Sequence, residues 1–405
     1  MIDAMTTTRR AALKLLGATS VAGLTVQSAT TQPATAQPAT AQSATAQTGL
    51  PSGRVPKGLR PGGELDQLIA KKAARDEFSG SVLITYRGRT VLARSHGLAD
   101  KARGLPNGPD TLFGLASVAK LFTAVAVAQL AQRGQLQYYD TVGQHVDGFS
   151  AEVADRVTIH HLLTHTSGLG DFFGDPGFWD TAFTWTSVQQ VMDGIGGFVR
   201  KETLAFQPGA GTGYSNSAYH LLGEIVARVS GQPYNDYVRQ HIFRAAGMGS
   251  ADFYTLPQLR ADRRIAHGYY RPEGSADRVD NLDEPQIFAP GAFASCAQME
   301  RFAHALWEEK LLNPAYTRLT LSPKLPMAPP PGPDKLTVFT GYGPGATLAG
   351  DRWSYGHNGG ASNGAAADVA FYPDHGYVTV ILSNYEMESI RGIPGLARKL
   401  IVEQG

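Results

Sequence analysis

Ser117-Val118-Ala119-Lys120-Leu121-Phe122-Thr123-Ala124-Val125-Ala126-Val127-Ala128-Gln129-Leu130-Ala131-Gln132 carries apolar side chains on nearly every side of a helix and stops before Gly134. A helix without a polar face is buried, so the segment predicts a helix inside the molecule. Upstream, Leu65, Leu68 and Ile69 recur at helical spacing between Gly63 and Arg75. Ser81 to Tyr86 and Thr90 to His96 are β-rich and flank Arg87-Gly88-Arg89, a hairpin signal. Downstream, residues 141–249 hold short helical patterns broken by Gly and Pro. The clearest runs from Ser217 to Val229, with Ala218, Leu221, Leu222, Ile225 and Val226 on one face and Gly231 as its stop. Another runs from Pro233 to Gly247. After about Asn281 strand patterns return: Gly364 to Tyr372 and Tyr377 to Ser383 flank Pro373-Asp374-His375-Gly376, and a helix over about Ser389 to Val402 closes the chain. β material at both ends with helices between them predicts an α/β (α+β) fold. One antiparallel sheet is assembled from both ends and flanked by helices, with a mostly helical lobe inserted. The expected division is 51–115 and 282–405 for the sheet part and 116–281 for the lobe.

The chain has 405 residues, 42% of them apolar and 18% charged, which supports a sizeable core and argues against a disordered chain. Lys plus Arg is 36 against 35 acids, a net charge of +1. No basic excess faces a phosphate backbone, so nucleic acid is not expected as a partner. Cys296 is the sole cysteine, which excludes an internal disulfide and a multi-cysteine zinc site. Arg9-Arg10 precede the mildly apolar run Leu15 to Val26. This reads as a twin-arginine export signal over about 1–27, the plainer alternative being a short amphipathic helix. The run is too short to span a bilayer, so no stable membrane anchor is expected after signal removal. Residues 28–47 repeat imperfect Pro-Ala-Thr-Ala-Gln pentads without a large apolar side chain, and cannot offset the entropy of ordering. A disordered linker over about 28–50 is expected, with Ala-x-Ala cleavage sites at Ala34 to Ala36 and Ala44 to Ala46. Cleavage after residue 47 removes Arg9, Arg10, Lys14 and Asp3, leaving a mature charge of −1. The mature domain over 51–405 is expected in the periplasm or outside the cell. No pattern in the chain specifies an oligomeric state.

Three short motifs carry chemistry. Ser117-Val118-Ala119-Lys120 puts a hydroxyl and an amine at i and i+3, on one helix face. Burial and a helix N-terminus favour a neutral amine, able to accept the serine proton. Taken alone, the pattern also fits a serine N-cap with an unrelated lysine one turn later. Tyr214-Ser215-Asn216 precedes the Ser217 helix. The phenol is a proton carrier if cations lower its pKa, and the amide can bond both a lysine and a substrate carbonyl. The bland reading is a packed tyrosine beside an asparagine helix cap. His357-Asn358-Gly359-Gly360 enters a glycine-rich strand along which substrate backbone can approach, and a backbone N–H there can serve an oxyanion hole. A β-bulge with a surface histidine is the alternative.

In the order S-x-x-K, Y-x-N, H-x-G, the three motifs together resemble the serine hydrolases that comprise class C β-lactamases, D-alanyl-D-alanine peptidases and family VIII esterases. Leu162-Leu163-Thr164-His165-Thr166-Ser167-Gly168-Leu169, Gln207-Pro208-Gly209 and Gly341-Tyr342-Gly343 extend the resemblance over roughly 60–400. It implies a β-lactamase/transpeptidase-like fold and a nucleophilic Ser117 that forms an acyl-enzyme. It further implies Lys120 and Tyr214 as proton shuttles, Asn216 orienting substrate and Lys120, and His357, Asn358 and Gly359 along the substrate. The N–H groups of Ser117 and Gly360 form the implied oxyanion hole. His357 stands where many β-lactamases carry a lysine; an imidazole of pKa about 6.5 is mostly neutral at pH 7. That departure counts against potent β-lactamase action and is compatible with a peptidase; the leading expectation is cleavage of small esters, with a D-alanyl-D-alanine carboxypeptidase or D-aminopeptidase next and a weak β-lactamase third. A catalytically silent binding protein is disfavoured because all the chemical positions occur together. The resemblance calls for a small ester, amide or peptide substrate and no metal or organic cofactor.

Other patterns are decoys. Gly360-Ala361-Ser362-Asn363-Gly364 matches G-x-S-x-G, yet a strand follows it and only 43 residues remain after Ser362. His161 and His165 lack the glutamate of a zinc helix, and His165 reads as a structural group at a helix end. Cys296 reads as a buried small residue. Phe172, Phe173, Phe178, Trp179, Phe183 and Trp185 crowd a loop-like stretch, where some of them are expected to line the cleft and favour an apolar acyl or aryl group.

Overall fold

Burying both faces of a sheet requires helices on each side, and the chain supplies them from both its ends and its middle. The computed structural model describes residues 55–182, 184–275, 277–282, 291–328, 335–362 and 364–403; the expected export signal and linker, Phe183 and Asn363 lie outside the described residues. The longer helices are α1 Glu64–Ala74, α2 Lys120–Gln132, α3 Val188–Val199, α4 Asn216–Ser230, α5 Cys296–Trp307 and α6 Ile393–Val402. The main strands are β1 Gly80–Tyr86, β2 Arg89–His96, β3 Pro326–Met327, β4 Leu336–Phe339, β5 Gly345–Ala349, β6 Arg352–Ala361, β7 Ala365–Tyr372 and β8 Tyr377–Ser383. They form one antiparallel sheet in the order β3-β4-β5-β6-β7-β8-β1-β2. The last strand lies against the first, from Gly80 opposite Ser383 to Tyr86 opposite Tyr377, so both ends of the chain build one sheet.

Two cores follow from the pleat. On β7, Ala367, Val369 and Phe371 join the large core that holds α2, α4 and α5. Ala366 and Tyr372 join a smaller core with Ile69 of α1 and Ile393, Ala397 and Ile401 of α6. Side chains alternate across a strand, so one strand serves both. Every residue of β8 is buried, as a strand covered on both faces requires. Every residue of α2 from Lys120 to Ala131 is buried too, as its all-round apolar surface predicts.

Three segments depart from the sequence reading; the expected closing helix begins only at Ile393, after a 3-10 turn at Met387–Ile390 and Gly392 at φ +84°. The expected helix from Ser117 starts with a 3-10 turn, Ala116–Ala119, and becomes α-helical at Lys120. Ala116 has φ +45°, which costs about 1–2 kcal/mol for a residue with a Cβ. The chain is fixed just ahead of it: Phe113–Gly114 pairs with Ala292–Ala294, and Leu115 N–H donates to Ala292 O at 2.9 Å. The expected helix from Pro233 divides into Tyr234–Val238 and a π turn, Arg239–Phe243.

Candidate active site

The 3-10 turn brings Ser117 and Lys120 together, because side chains at i and i+3 eclipse in that geometry. Lys120 Nζ lies 3.1 Å from Ser117 Oγ and donates to Asn216 Oδ1 at 2.7 Å. The serine hydroxyl caps neither this turn nor α2, so the N-cap alternative does not hold. Burial pushes the Lys120 pKa down to about 8, and the nearby Asp171 carboxylate opposes part of that shift. An amine with that pKa is neutral in about one molecule in ten at pH 7 and in about half of them at pH 8.

Tyr214 completes the group: its hydroxyl donates to Ser117 Oγ at 2.6 Å. The residue is half exposed (52%), with its hydroxyl held on Ser117. Burial of that end raises the tyrosine pKa and outweighs the hydrogen bond to Ser117 that lowers it. The condition that cations depress the phenol is therefore not met, and Tyr214 rests protonated. Ser215, not Asn216, caps α4, its hydroxyl accepting from Ala218 N–H at 2.9 Å. The asparagine is thereby free to bond Lys120 with one end of its amide and Asp171 Oδ2 with the other, at 2.7 Å.

Strand β6 forms the facing wall. Its pairing with β5 ends at Gly345 opposite Gly356, whereas its pairing with β7 continues unbroken to Ala361. His357 to Ala361 therefore present a strand edge that no β5 residue covers, and there is no bulge at His357. The ribbon presses on the serine turn: a Cβ on Gly359 would sit 2.7 Å from both Ser117 N and Leu115 O. Only glycine permits that approach. A cavity of about 490 Å³ borders Ser117, Tyr214, Asn358, Gly359 and Gly360. His357 lines a neighbouring cavity of about 560 Å³ together with Tyr214. Burial and then the Lys120 charge hold the His357 pKa down at about 4. The pleat turns Asn358 to the other side of the strand, opposite Asp368, where it is exposed on the rim of both cavities.

The sequence reading missed two groups at the site. His165, read as a helix-end structural residue, has φ +59° and accepts from Ser215 N–H through Nδ1 at 3.1 Å. Its ring lies 4.6 Å from that of Tyr214 and 5.1 Å from that of Tyr219. Burial first, then the Lys120 charge, take its pKa to about 3, so it is a neutral wedge behind the phenol. Asp171 is the second, 45 residues from the asparagine it bonds. The L-L-T-H-T-S-G-L motif signalled the first; no spacing rule signals the second.

Other expected positions are placed elsewhere. Phe172 and Phe178 are buried with Val191, Ile195 and Val199 of α3, and Phe173, Trp179 and Trp185 pack around them. Among the described residues, none of these rings lines either cavity beside Ser117, which corrects the expectation that they border the cleft. The density of rings builds a separate small core instead. Ser362 lines the same cavity as Ser117, but on a turn between two strands and not on a nucleophile elbow. Cys296 is buried at the start of α5, its thiol donating to Ser81 O at 3.3 Å.

The chain matches the family profile described as Beta-lactamase over residues 65–393. It is 33% identical to a penicillin-binding protein of Bacillus subtilis over 274 residues, covering 64% of this chain and 59% of that one. It is 32% identical to esterase EstB of Burkholderia gladioli over 259 residues, covering 57% of this chain and 64% of that one. The chain thus spans less than two thirds of either relative's own length. In three dimensions it resembles a penicillin-binding protein from Bacillus halodurans, with TM-score 0.70, 28% identity, and coverage of 82% of this chain and 98% of that one. The profile spans both ends of the sheet and everything between them, so the chain belongs to the Beta-lactamase family.

Proposed function

We propose that this protein is an exported serine hydrolase that cleaves small esters through an acyl-Ser117 intermediate. The observation that carries the reading is the placement of Ser117 Oγ between Lys120 Nζ at 3.1 Å and Tyr214 OH at 2.6 Å. Neutral Lys120 takes the hydroxyl proton as Ser117 Oγ bonds to the substrate carbonyl carbon. The carbonyl oxygen becomes an oxyanion between the N–H groups of Ser117 and Gly360. Tyr214 gives its proton to the leaving alkoxide and regains one from the Lys120 ammonium. In deacylation, water adds to the acyl carbon, its proton passes to the Tyr214–Lys120 pair, and Ser117 leaves protonated. Asn216, His357, Asn358 and Gly359 border the bound ester. Export rests on Arg9-Arg10 ahead of the Leu15 to Val26 run.

The preference for esters rests on charge and surface. A substrate carboxylate calls for a fixed cation beside the strand, and His357, with pKa about 4, is neutral there at pH 7. Met327 and Met387, exposed by 48% and 38%, give the two cavities apolar rims suited to an acyl chain or an alcohol. The likeness to esterase EstB agrees with this reading. The likeness to a Bacillus penicillin-binding protein favours a second one, cleavage of D-alanyl-D-alanine peptides or weak β-lactamase action. A fluorophosphonate probe should leave one adduct that disappears in Ser117→Ala. The kcat/KM for p-nitrophenyl esters should exceed that for a β-lactam reporter and for D-alanyl-D-alanine peptides. Labelling that survives Ser117→Ala overturns the nucleophile; a higher kcat/KM for the peptides selects the second reading.

A further inference from the structure

We infer that Asp171 is a positioning residue: its carboxylate fixes the Asn216 amide so that the oxygen, and not the nitrogen, faces Lys120. The inference rests on the acyl-serine chemistry proposed above. Asn216 Nδ2 donates to Asp171 Oδ2 at 2.7 Å, and Asn216 Oδ1 accepts from Lys120 Nζ at 2.7 Å. An amide has one donating and one accepting end, and an ionised carboxylate only accepts. Asp171 therefore admits one of the two amide orientations. A flipped amide sets its carbonyl against a carboxylate and its NH2 against the amine. Its N–H would then donate to the Lys120 lone pair, the one that must receive the Ser117 proton. With the oxygen facing Lys120, the amine spends a donor on Asn216 and keeps its lone pair for the serine.

Asp171 is itself held by the element that carries Asn216. Gly170 N–H donates to Glu202 Oε2 at 2.8 Å, and Gly170 O accepts from Ser215 Oγ at 2.7 Å. Phe172 N–H donates to Ser217 Oγ at 3.0 Å, and that hydroxyl donates to Glu202. Asp171 Oδ1 accepts from Phe173 N–H at 3.1 Å. Ser215 and Ser217 flank Asn216, so both ends of the Asp171–Asn216 bond ride on one clamp. The groups facing Lys120 are Tyr214 and Tyr219 at the head of α4, His165 behind them, His357 on β6 and Asp171. Of these, Asp171 alone is a carboxylate. Its charge favours the ammonium, so removing that charge moves the amine's titration to lower pH.

The test is ester hydrolysis by Asp171→Ala, the shape-conserving Asp171→Asn, Asn216→Ala and the double variant Asp171→Ala/Asn216→Ala, across about pH 5 to 9. Asp171→Ala should lower kcat by about tenfold to hundredfold, with KM changed much less. Asp171→Asn keeps an accepting oxygen and should recover most of kcat, while the rise of kcat/KM moves to lower pH. In the Asn216→Ala background, Asp171→Ala should cost no further plateau kcat, because it acts through the amide. Wild-type kinetics in Asp171→Ala, equal losses in the Ala and Asn variants, or additive losses in the double variant overturn the positioning role. Failure of the underlying reading looks different: ester turnover would then persist in Ser117→Ala.

Discussion

Placing one methyl group on Gly359 should both slow acylation and strain the fold. The alanine Cβ would meet Leu115 O and Ser117 N at 2.7 Å and Val118 N at 2.9 Å, where Cβ atoms essentially never come within 3.0 Å. The strand and the serine turn must therefore separate by about 0.3 Å or more in a close-packed interior. All three opposing atoms are backbone, so no rotamer change relieves the contact. Overpacking of this kind costs about 1–3 kcal/mol of stability. Activity falls as well, because Ser117 N and Gly360 N are the donors proposed for the oxyanion, and such donors act only at about 2.7–3.1 Å. Losing one donor outright costs about 10²–10³ in kcat, so a partial displacement should cost about tenfold to hundredfold. The measurements are p-nitrophenyl ester kcat/KM, the rate of fluorophosphonate labelling and the Tm. Gly395→Ala is the control, since it has nothing within 4 Å and should keep wild-type rates. If Gly359→Ala acylates within about twofold of wild type, the strand does not set the position of Ser117 and the oxyanion argument falls with it.

The kcat/KM should rise with pH through about 8, because Lys120 must shed its proton before it can act as a base; His357 at about 4 and His165 at about 3 are already neutral and should add no limb near neutrality in a pH–rate profile. Lys120→Met should abolish turnover, and its stability relative to wild type should depend on pH. The folded-state lysine pKa is depressed from 10.5 to about 8, so wild type pays a burial penalty below pH 8 that is relieved as pH climbs to 10.5. Urea titrations at both ends of that window should differ by about 3 kcal/mol in favour of wild type at the alkaline end. Glu224 accepts from Arg200 at 2.8 Å and His220 at 3.1 Å; these bonds outweigh its burial and hold its pKa at about 2. Glu224→Gln should cost about 1–3 kcal/mol at pH 7, a gap that closes as pH falls from 4.5 towards 2, read by the same titrations. Changing Arg9 and Arg10 together to Lys should retain the protein in the cytoplasm, which cell fractionation detects.

What was legible in the sequence was what short-range geometry writes there. A helix buried all round leaves no polar face, so α2 announces itself. A hairpin such as β1–β2 or β7–β8 needs only a turn between two alternating runs. Ser117 and Lys120 were legible because they lie three residues apart on one turn, and Tyr214 and Gly359 because their motifs travel with them. Asp171 was not, since its meaning lies in a bond to a residue 45 positions away. His165 was seen but given no task at the site, because the contact that makes it a wedge spans 50 residues. Phe172 to Trp185 misled for a related reason: composition reports how many rings a loop holds, not which side of it they turn to. The protonation of Tyr214 depends on burial of its hydroxyl, and a motif carries no burial.

Four titratable groups around Ser117, namely Lys120, Tyr214, His165 and His357, share one bias. Burial is the largest influence on each: it drives Lys120 towards the free amine, keeps Tyr214 a phenol, and leaves His165 and His357 uncharged. In water the lysine would be an ammonium ion, unable to accept a proton. The base therefore exists only because the first turn of α2 is sealed by the apolar core that holds the rest of the helix. Asp171, the carboxylate that acts on this amine, stands one amide away, close enough to orient Asn216 and too far to bond the amine. Packing and chemistry are thus one property here. A core substitution that admits water beside Lys120 should first restore the ammonium and silence the base, before enough burial is lost to unfold the sheet.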